Sequence, residues 1–204
     1  MKSYKPVLLI FLILILDQSS KFYVKTHYIL HEGTVVFDWF QIMFVENDGM
    51  AWGAKLSDFI PFISDRVAKV MLTLFRIFAV TGIGVWLYKS VKRQKSKTLI
   101  VSLSLIFAGA LGNIIDSVFY GLLFESSYTQ IATFWPEVGY DGLFFGKVVD
   151  MLHFPIWNGQ FPNWVPSIGG EAFLFFEPVF NIADVAISSG IGVLLLFNKK
   201  TLKG

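Results

Sequence analysis

The chain has 204 residues, 54% of them hydrophobic and only 16% charged, where a soluble domain carries about a quarter charged residues. This length fits one domain, read here over 1–204. The formal net charge is +2 with no cysteine, which excludes a disulfide framework, a thiolate nucleophile and a Cys-based metal site. Without a Lys/Arg-rich face interleaved with aromatics, nucleic acid is not an expected partner.

The first apolar segment spans about 6–24 and is interrupted by Asp17 and Lys21. Lys2 and Lys5 before it resemble the start of a signal peptide, but Asp17-Gln18-Ser19-Ser20-Lys21 follows in place of a small-x-small cleavage site, so a retained helix is expected. His27 and His31 are four residues apart with no Glu between them, and Tyr28–Leu30 reads as strand, so no metal is expected there. Residues 33–46, GTVVFDWFQIMFVE, are rich in β-branched and aromatic types and read as one or two strands before a turn at Asn47-Asp48-Gly49. A second apolar segment covers about 66–88, with Lys69 and Arg76 inside it. The third, about 98–116, is uncharged from Thr98 to Ile115. Region 117–177 holds Tyr120, Trp135, Trp157 and Trp164 with four prolines, and reads as a collar at a membrane–water boundary. The fourth segment, about 178–197, begins FNIAD.

A membrane-crossing helix needs roughly 20 mainly apolar residues. The four segments reach this length if polar residues sit near one end. Lys2 and Lys5, then Lys89, Lys92, Arg93, Lys95 and Lys97, then Lys199, Lys200 and Lys203 form three basic clusters free of acids. The positive-inside rule places all three in the cytoplasm. The expected architecture is a mainly α, polytopic membrane protein: four transmembrane helices, both termini cytoplasmic, and regions 25–65 and 117–177 on the outer face as a small β-element and an enlarged loop collar.

Ionisable groups in such segments are functional candidates. Asn113 and Asp116 end the third helix at its outer side, and Asn181 and Asp184 begin the fourth there. Each pair is spaced i,i+3 and so shares a helical face. Asp17 lies near the outer end of the first helix, and Asp150 lies in VVDMLHF. Capping is the simple account of any one of them. Their convergence from separate parts of the chain points instead to an aspartyl hydrolase, in which two close carboxylates share one proton. Helix geometry nominates Asp116 with Asp184 and leaves Asp150 and Asp17 open. The alternative is a polytopic transporter or structural membrane subunit that uses the aspartates for proton or ion binding.

Five blocks, DQSSK at 17–21, ENDGMAWG at 46–53, GALGNIID at 109–116, VVDM at 148–151 and FNIAD at 180–184, resemble in order and spacing those of the lipoprotein signal peptidase (signal peptidase II) family. The resemblance implies an aspartyl endopeptidase of the bacterial inner membrane, active at the outer face. It would remove signal peptides from prolipoproteins by cutting before a diacylglyceryl-modified cysteine of the substrate. It implies no cofactor, membrane lipids as surroundings and the cyclic peptide globomycin as inhibitor. Carried over, the catalytic pair is Asp150 and Asp184. Asp17, Gly112, Asn113, Asp116 and Asn181 shape the site, and Asn47 and Gly49 belong to an outer cradle that contacts substrate, with 47–60 a candidate closing loop. The chain departs from the family at Ser117 and Glu46, where Arg is usual. Arg76 is expected to reach outward to the aspartates and to stand in for the arginine missing at 117. The GxGD signature of presenilin-like proteases is absent.

Overall fold

In this computed structural model, residues 4–48, 62–175 and 178–197 are described. Four helices and six strands occur among them. Helix α1 covers Tyr4–His27, α2 Asp65–Lys92, α3 Lys97–Leu123 and α4 Ile182–Leu196. The strands are β1 (Gly33–Phe37), β2 (Phe40–Asn47), β3 (Val148–His153), β4 (Trp157–Gln160), β5 (Ala172–Phe175) and β6 (Val179–Phe180).

Helices α1, α2 and α3 are each long and apolar enough to cross a membrane. At 1.5 Å per residue, the 24 residues of α1 reach about 36 Å. Helix α4 has 15 residues, about 22 Å, and is shorter than a full span. Their outward faces carry Leu8, Phe11, Phe75, Phe78 and Leu195, all exposed, as expected of surfaces that meet lipid rather than water. Helix α3 is central. It packs against α1, α2 and α4, whereas α2 has α3 as its main helical partner. Ser64 and Ser96 cap α2 and α3 by accepting from Val67 and Leu99 N–H at 3.4 and 3.2 Å.

Strands β1, β2, β3 and β6 form one antiparallel sheet in that order. The fourth apolar segment therefore opens as strand at Val179–Phe180 and becomes helix only at Ile182. Tyr28–Leu30, read as strand from the sequence, instead lies outside any strand, in the link between α1 and β1. Alternation along β3 sends Val149 and Met151 into an aromatic core with Phe44, Val24, Tyr120 and Phe124. Asp150 points the other way.

The collar folds back on α3 before β3 begins. Trp135, Tyr140 and Gly146 N–H donate to the carbonyls of Leu123, Phe124 and Ser117 at 2.8, 2.9 and 3.0 Å. This retreat delivers β3 beside Asp116. It requires glycine at 146, because a Cβ there would stand 1.9 Å from the Asp116 carbonyl oxygen. Beyond β3, β4 and β5 pair as a separate hairpin.

Candidate active site

The C-terminal halves of α1 and α3, the N-terminal end of α4 and one face of β3 converge on a cluster of four aspartates. Asp17 and Asp116 are fully buried, Asp150 is 3% exposed and Asp184 is half-buried. A buried carboxylate needs a cation or several donors to remain ionised, and the four are served differently.

Lys21, fully buried, serves Asp17 and Asp116. Its ammonium lies 3.0 Å from Asp17 Oδ2 and 2.8 Å from Asp116 Oδ2, and donates to Asn113 Oδ1 at 2.8 Å. These acceptors match the three hydrogens of an ammonium. Gln18 Nε2 adds donors to Asp116 Oδ1 at 2.9 Å and Asp17 Oδ2 at 3.1 Å. Both carboxylates also hold backbone: Asp17 Oδ1 accepts from Ala183 N–H at 2.9 Å, and Asp116 Oδ2, the oxygen that also meets Lys21, accepts from Val149 N–H at 3.3 Å. Asp17 thereby fixes the start of α4, and Asp116 fixes β3 at the residue before Asp150. At Gly112 a Cβ would lie 2.6 Å from Asp17 Oδ2, so only glycine lets this carboxylate lie against α3.

Two asparagines face the other pair. Lys21 can only donate, so Asn113 must turn its oxygen to Lys21 and its Nδ2 to Asp184 Oδ1, at 2.9 Å. Asn181 caps α4 by accepting from Asp184 N–H at 2.9 Å, and Asp184 Oδ2 accepts in return from Asn181 N–H at 3.3 Å. This is a capping box with Asp at its third position. The cap turns Asn181 Nδ2 toward Asp150 Oδ1, 2.7 Å away. Asn47 Nδ2 donates to Asp150 Oδ2 at 3.3 Å. Asp150 and Asp184 thus receive neutral amide and backbone donors where Asp17 and Asp116 receive an ammonium.

Burial pushes the Asp150 carboxyl up to about 7, and the charge of Asp184 acts in the same direction, against Asn47, Lys21 and Asn181. The charge of Asp184 thus reaches Asp150. In general, two carboxylates within reach of each other can share one proton and serve as acid and base. Arg76, partly buried on α2, is within electrostatic reach of Asp184. Ser117 donates its hydroxyl to the Asn113 carbonyl at 2.9 Å, within its own helix.

Eight of the nine candidate residues, Asp17, Asn47, Gly112, Asn113, Asp116, Asp150, Asn181 and Asp184, are gathered here. Gly49 and most of the 47–60 loop lie outside the described residues. Lys21 and Gln18 were not singled out from the sequence, where Lys21 reads as an interruption of an apolar run. Its i,i+4 spacing from Asp17 was the available signal.

A family model described as Signal peptidase (SPase) II matches residues 9–199. The chain is 47% identical over 197 residues to the lipoprotein signal peptidase of Porphyromonas gingivalis, covering 95% of this chain and 82% of that protein. It is 33% identical over 198 residues to the lipoprotein signal peptidase of Amoebophilus asiaticus, covering 94% and 76%. The fold is similar to a bacterial membrane enzyme solved by the in meso method, with a TM-score of 0.59, 22% identity, and 99% and 92% of the two chains covered. With three helices fit to cross a membrane, this is a multi-pass membrane protein. The match along nearly the whole chain establishes that it belongs to the signal peptidase II family, whose members are protein-cleaving hydrolases.

Proposed function

We propose that the chain is an aspartyl endopeptidase that cuts prolipoproteins before their diacylglyceryl-modified cysteine, with Asp150 and Asp184 as the catalytic pair. One observation carries the assignment: Lys21 engages Asp17 and Asp116, whereas Asp150 and Asp184 are held by amide and backbone donors. A cation bound to both oxygen sets would keep a pair ionised. Neutral donors leave it free to share a proton.

In the proposed reaction, ionised Asp184 takes a proton from water as the water oxygen attacks the scissile carbonyl carbon. Asp150, the more buried, holds the shared proton against the carbonyl oxygen and stabilises the tetrahedral intermediate. Collapse restores the carbonyl and breaks the C–N bond, and the leaving amine of the cysteine takes a proton from Asp184. The pair ends with its single shared proton. Asn113 and Asn181 hold the carboxylates, and Asn47 orients Asp150.

The basic clusters favour four spans with both termini cytoplasmic, which supports a site at the outer boundary of the bacterial inner membrane. The short α4 fits this arrangement, since its start is enclosed by protein and its orphan N–H groups are capped. A stacked aromatic row, Trp39 to Phe154 at 6.2 Å and Phe154 to Phe180 at 5.6 Å, suits the same level. The packing of α2 on α3 supports lateral entry of the substrate's apolar helix beside Arg76 and Asp184. Globomycin would occupy the same site.

The test is cleavage of a prolipoprotein, with and without its diacylglyceryl group, by the protein in lipid nanodiscs. Cleavage before the modified cysteine is expected. A folded protein that leaves the modified substrate whole, or full activity in each of Asp116→Asn, Asp150→Asn and Asp184→Asn, would overturn the reading.

A further inference from the structure

A second buried ion pair lies one turn beyond Lys21 on the same face of α1. Lys25 is fully buried. Its ammonium pairs with Glu46, donates to Ser127 Oγ at 2.9 Å, and stands over the rings of Tyr140, Phe124 and Phe44 at 4.8, 5.4 and 5.7 Å. The other Glu46 oxygen lies 3.5 Å from Lys147 Nζ. Glu46 therefore ties the end of β2 to α1 and to the lead-in of β3, and Lys25 extends the tie to the loop carrying Ser127.

Stability alone does not explain this pair. Desolvating two charges offsets much of their attraction, and apolar side chains of the same volume often serve as well. Its position is more informative. Glu46 precedes Asn47, whose amide holds Asp150. In the β2–β3 ladder Val45, Glu46 and Asn47 stand opposite Asp150, Val149 and Val148, but the register is broken between Ile42 and Val45. The pairing around Asp150 is thus not carried in from the rest of β2 and needs a local anchor. The Asn47–Asp150 contact of 3.3 Å is at the long end for a hydrogen bond, so a small slip of β2 breaks it.

We infer that Lys25 and Glu46 are positioning residues for the reaction: their ion pair clamps the end of β2 so that the Asn47 amide stays on Asp150. This rests on Asp150 being catalytic. The groups that face Asp150 are Asp184 from α4, Lys21 from α1, Asn181 at the α4 cap and Asn47 from β2, with Asp116 on the adjacent Val149 N–H. The clamp acts on Asp150 through Asn47. The Asn47 bond favours ionised Asp150, so its loss moves deprotonation to higher pH.

The test uses the full chain in nanodiscs with Lys25→Met/Glu46→Leu, which removes both charges together and leaves neither stranded. Folding is followed by thermal melting. Expected are a kcat lower by about tenfold to a hundredfold at unchanged KM and an alkaline limb of the kcat/KM profile moved up by about half a unit. Asn47→Ala gives the same signature and adds nothing further in the double-variant background. Glu46→Asp, which keeps the charge and shortens the arm, shows a smaller change in the same direction and serves if the double variant does not fold. A wild-type kcat and pH profile in either folded variant, or a loss that adds in full to that of Asn47→Ala, would overturn the inference. If that occurs while Asp150→Asn is inactive, only the clamp fails. An active Asp150→Asn removes the catalytic reading beneath it.

Discussion

The side-chain amide of Asn181 bonds to both members of the proposed pair, to the carboxylate of Asp150 and to the backbone of Asp184. Its Nδ2 donates to Asp150 Oδ1 at 2.7 Å while its Oδ1 accepts from the Asp184 backbone N–H at 2.9 Å. One amide is therefore both the cap of α4 and a fixed donor to Asp150, so a structural bond sets the orientation of a functional one.

The two duties separate by substitution. Asn181→Ser retains a capping hydroxyl but is too short to reach Asp150. It is expected to melt near the wild-type temperature and to lose about a hundredfold in kcat. Asn181→Ala loses the cap as well, and about 1 kcal/mol of stability with it. Melting curves and prolipoprotein cleavage on the same samples check both.

Lys21 balances two wholly buried carboxylates. Lys21→Met strands Asp17 and Asp116 and is expected to destabilise by about 3–5 kcal/mol, seen as a large fall in melting temperature or in folded yield. The same substitution at the exposed Lys89 leaves both unchanged.

The pH dependence follows from Asp150. Its carboxyl holds a proton to about 7 in the folded protein against an ordinary 3.8. Between these values the folded state binds more protons than the unfolded, so this group's contribution to stability is full below 3.8, declines as pH rises and is lost above about 7. Asp150→Asn removes the ionised form, and its melting temperature is expected to exceed that of wild type at pH 8 and to match it near pH 4. In wild type, kcat/KM falls as pH rises through about 7, where the shared proton is lost.

Gly146 tests the path of the collar. Gly146→Ala pushes a methyl against the Asp116 carbonyl, 1.9 Å away, and the Tyr120 backbone nitrogen, 3.0 Å away. The backbone must shift, lifting β3 from α3. Activity is expected to fall at least tenfold with about 1–3 kcal/mol of destabilisation, although no carboxylate is altered.

Local spacing made part of this site legible. Asn113-x-x-Asp116 and Asn181-x-x-Asp184 place their side chains on helix faces whatever the fold. Equal spacing concealed unequal partners, because Asp116 turns to Lys21 whereas Asn113 turns to Asp184. That division depends on α1, almost a hundred residues away in sequence. Helix geometry alone nominated Asp116, and only the family resemblance pointed to Asp150. The position of Asp150 depends on the collar folding back along α3 and on β3 pairing with β2 and β6, contacts between segments far apart in the chain. Arg76 was expected near the aspartates and lies within electrostatic reach of Asp184. Glu46 stood out only as a departure from the usual Arg, and its pairing with Lys25 gave no local signal, since a pair that joins a helix to a strand has no fixed spacing.

The division of the four aspartates is tested most directly by prolipoprotein cleavage with Asp116→Asn, Asp150→Asn and Asp184→Asn, each confirmed folded in nanodiscs. The account predicts that Asp150→Asn and Asp184→Asn each lose about a thousandfold or more in kcat, while Asp116→Asn, which keeps an oxygen for Lys21, retains measurable turnover. Wild-type turnover by folded Asp150→Asn, with Asp116→Asn inactive, would contradict it.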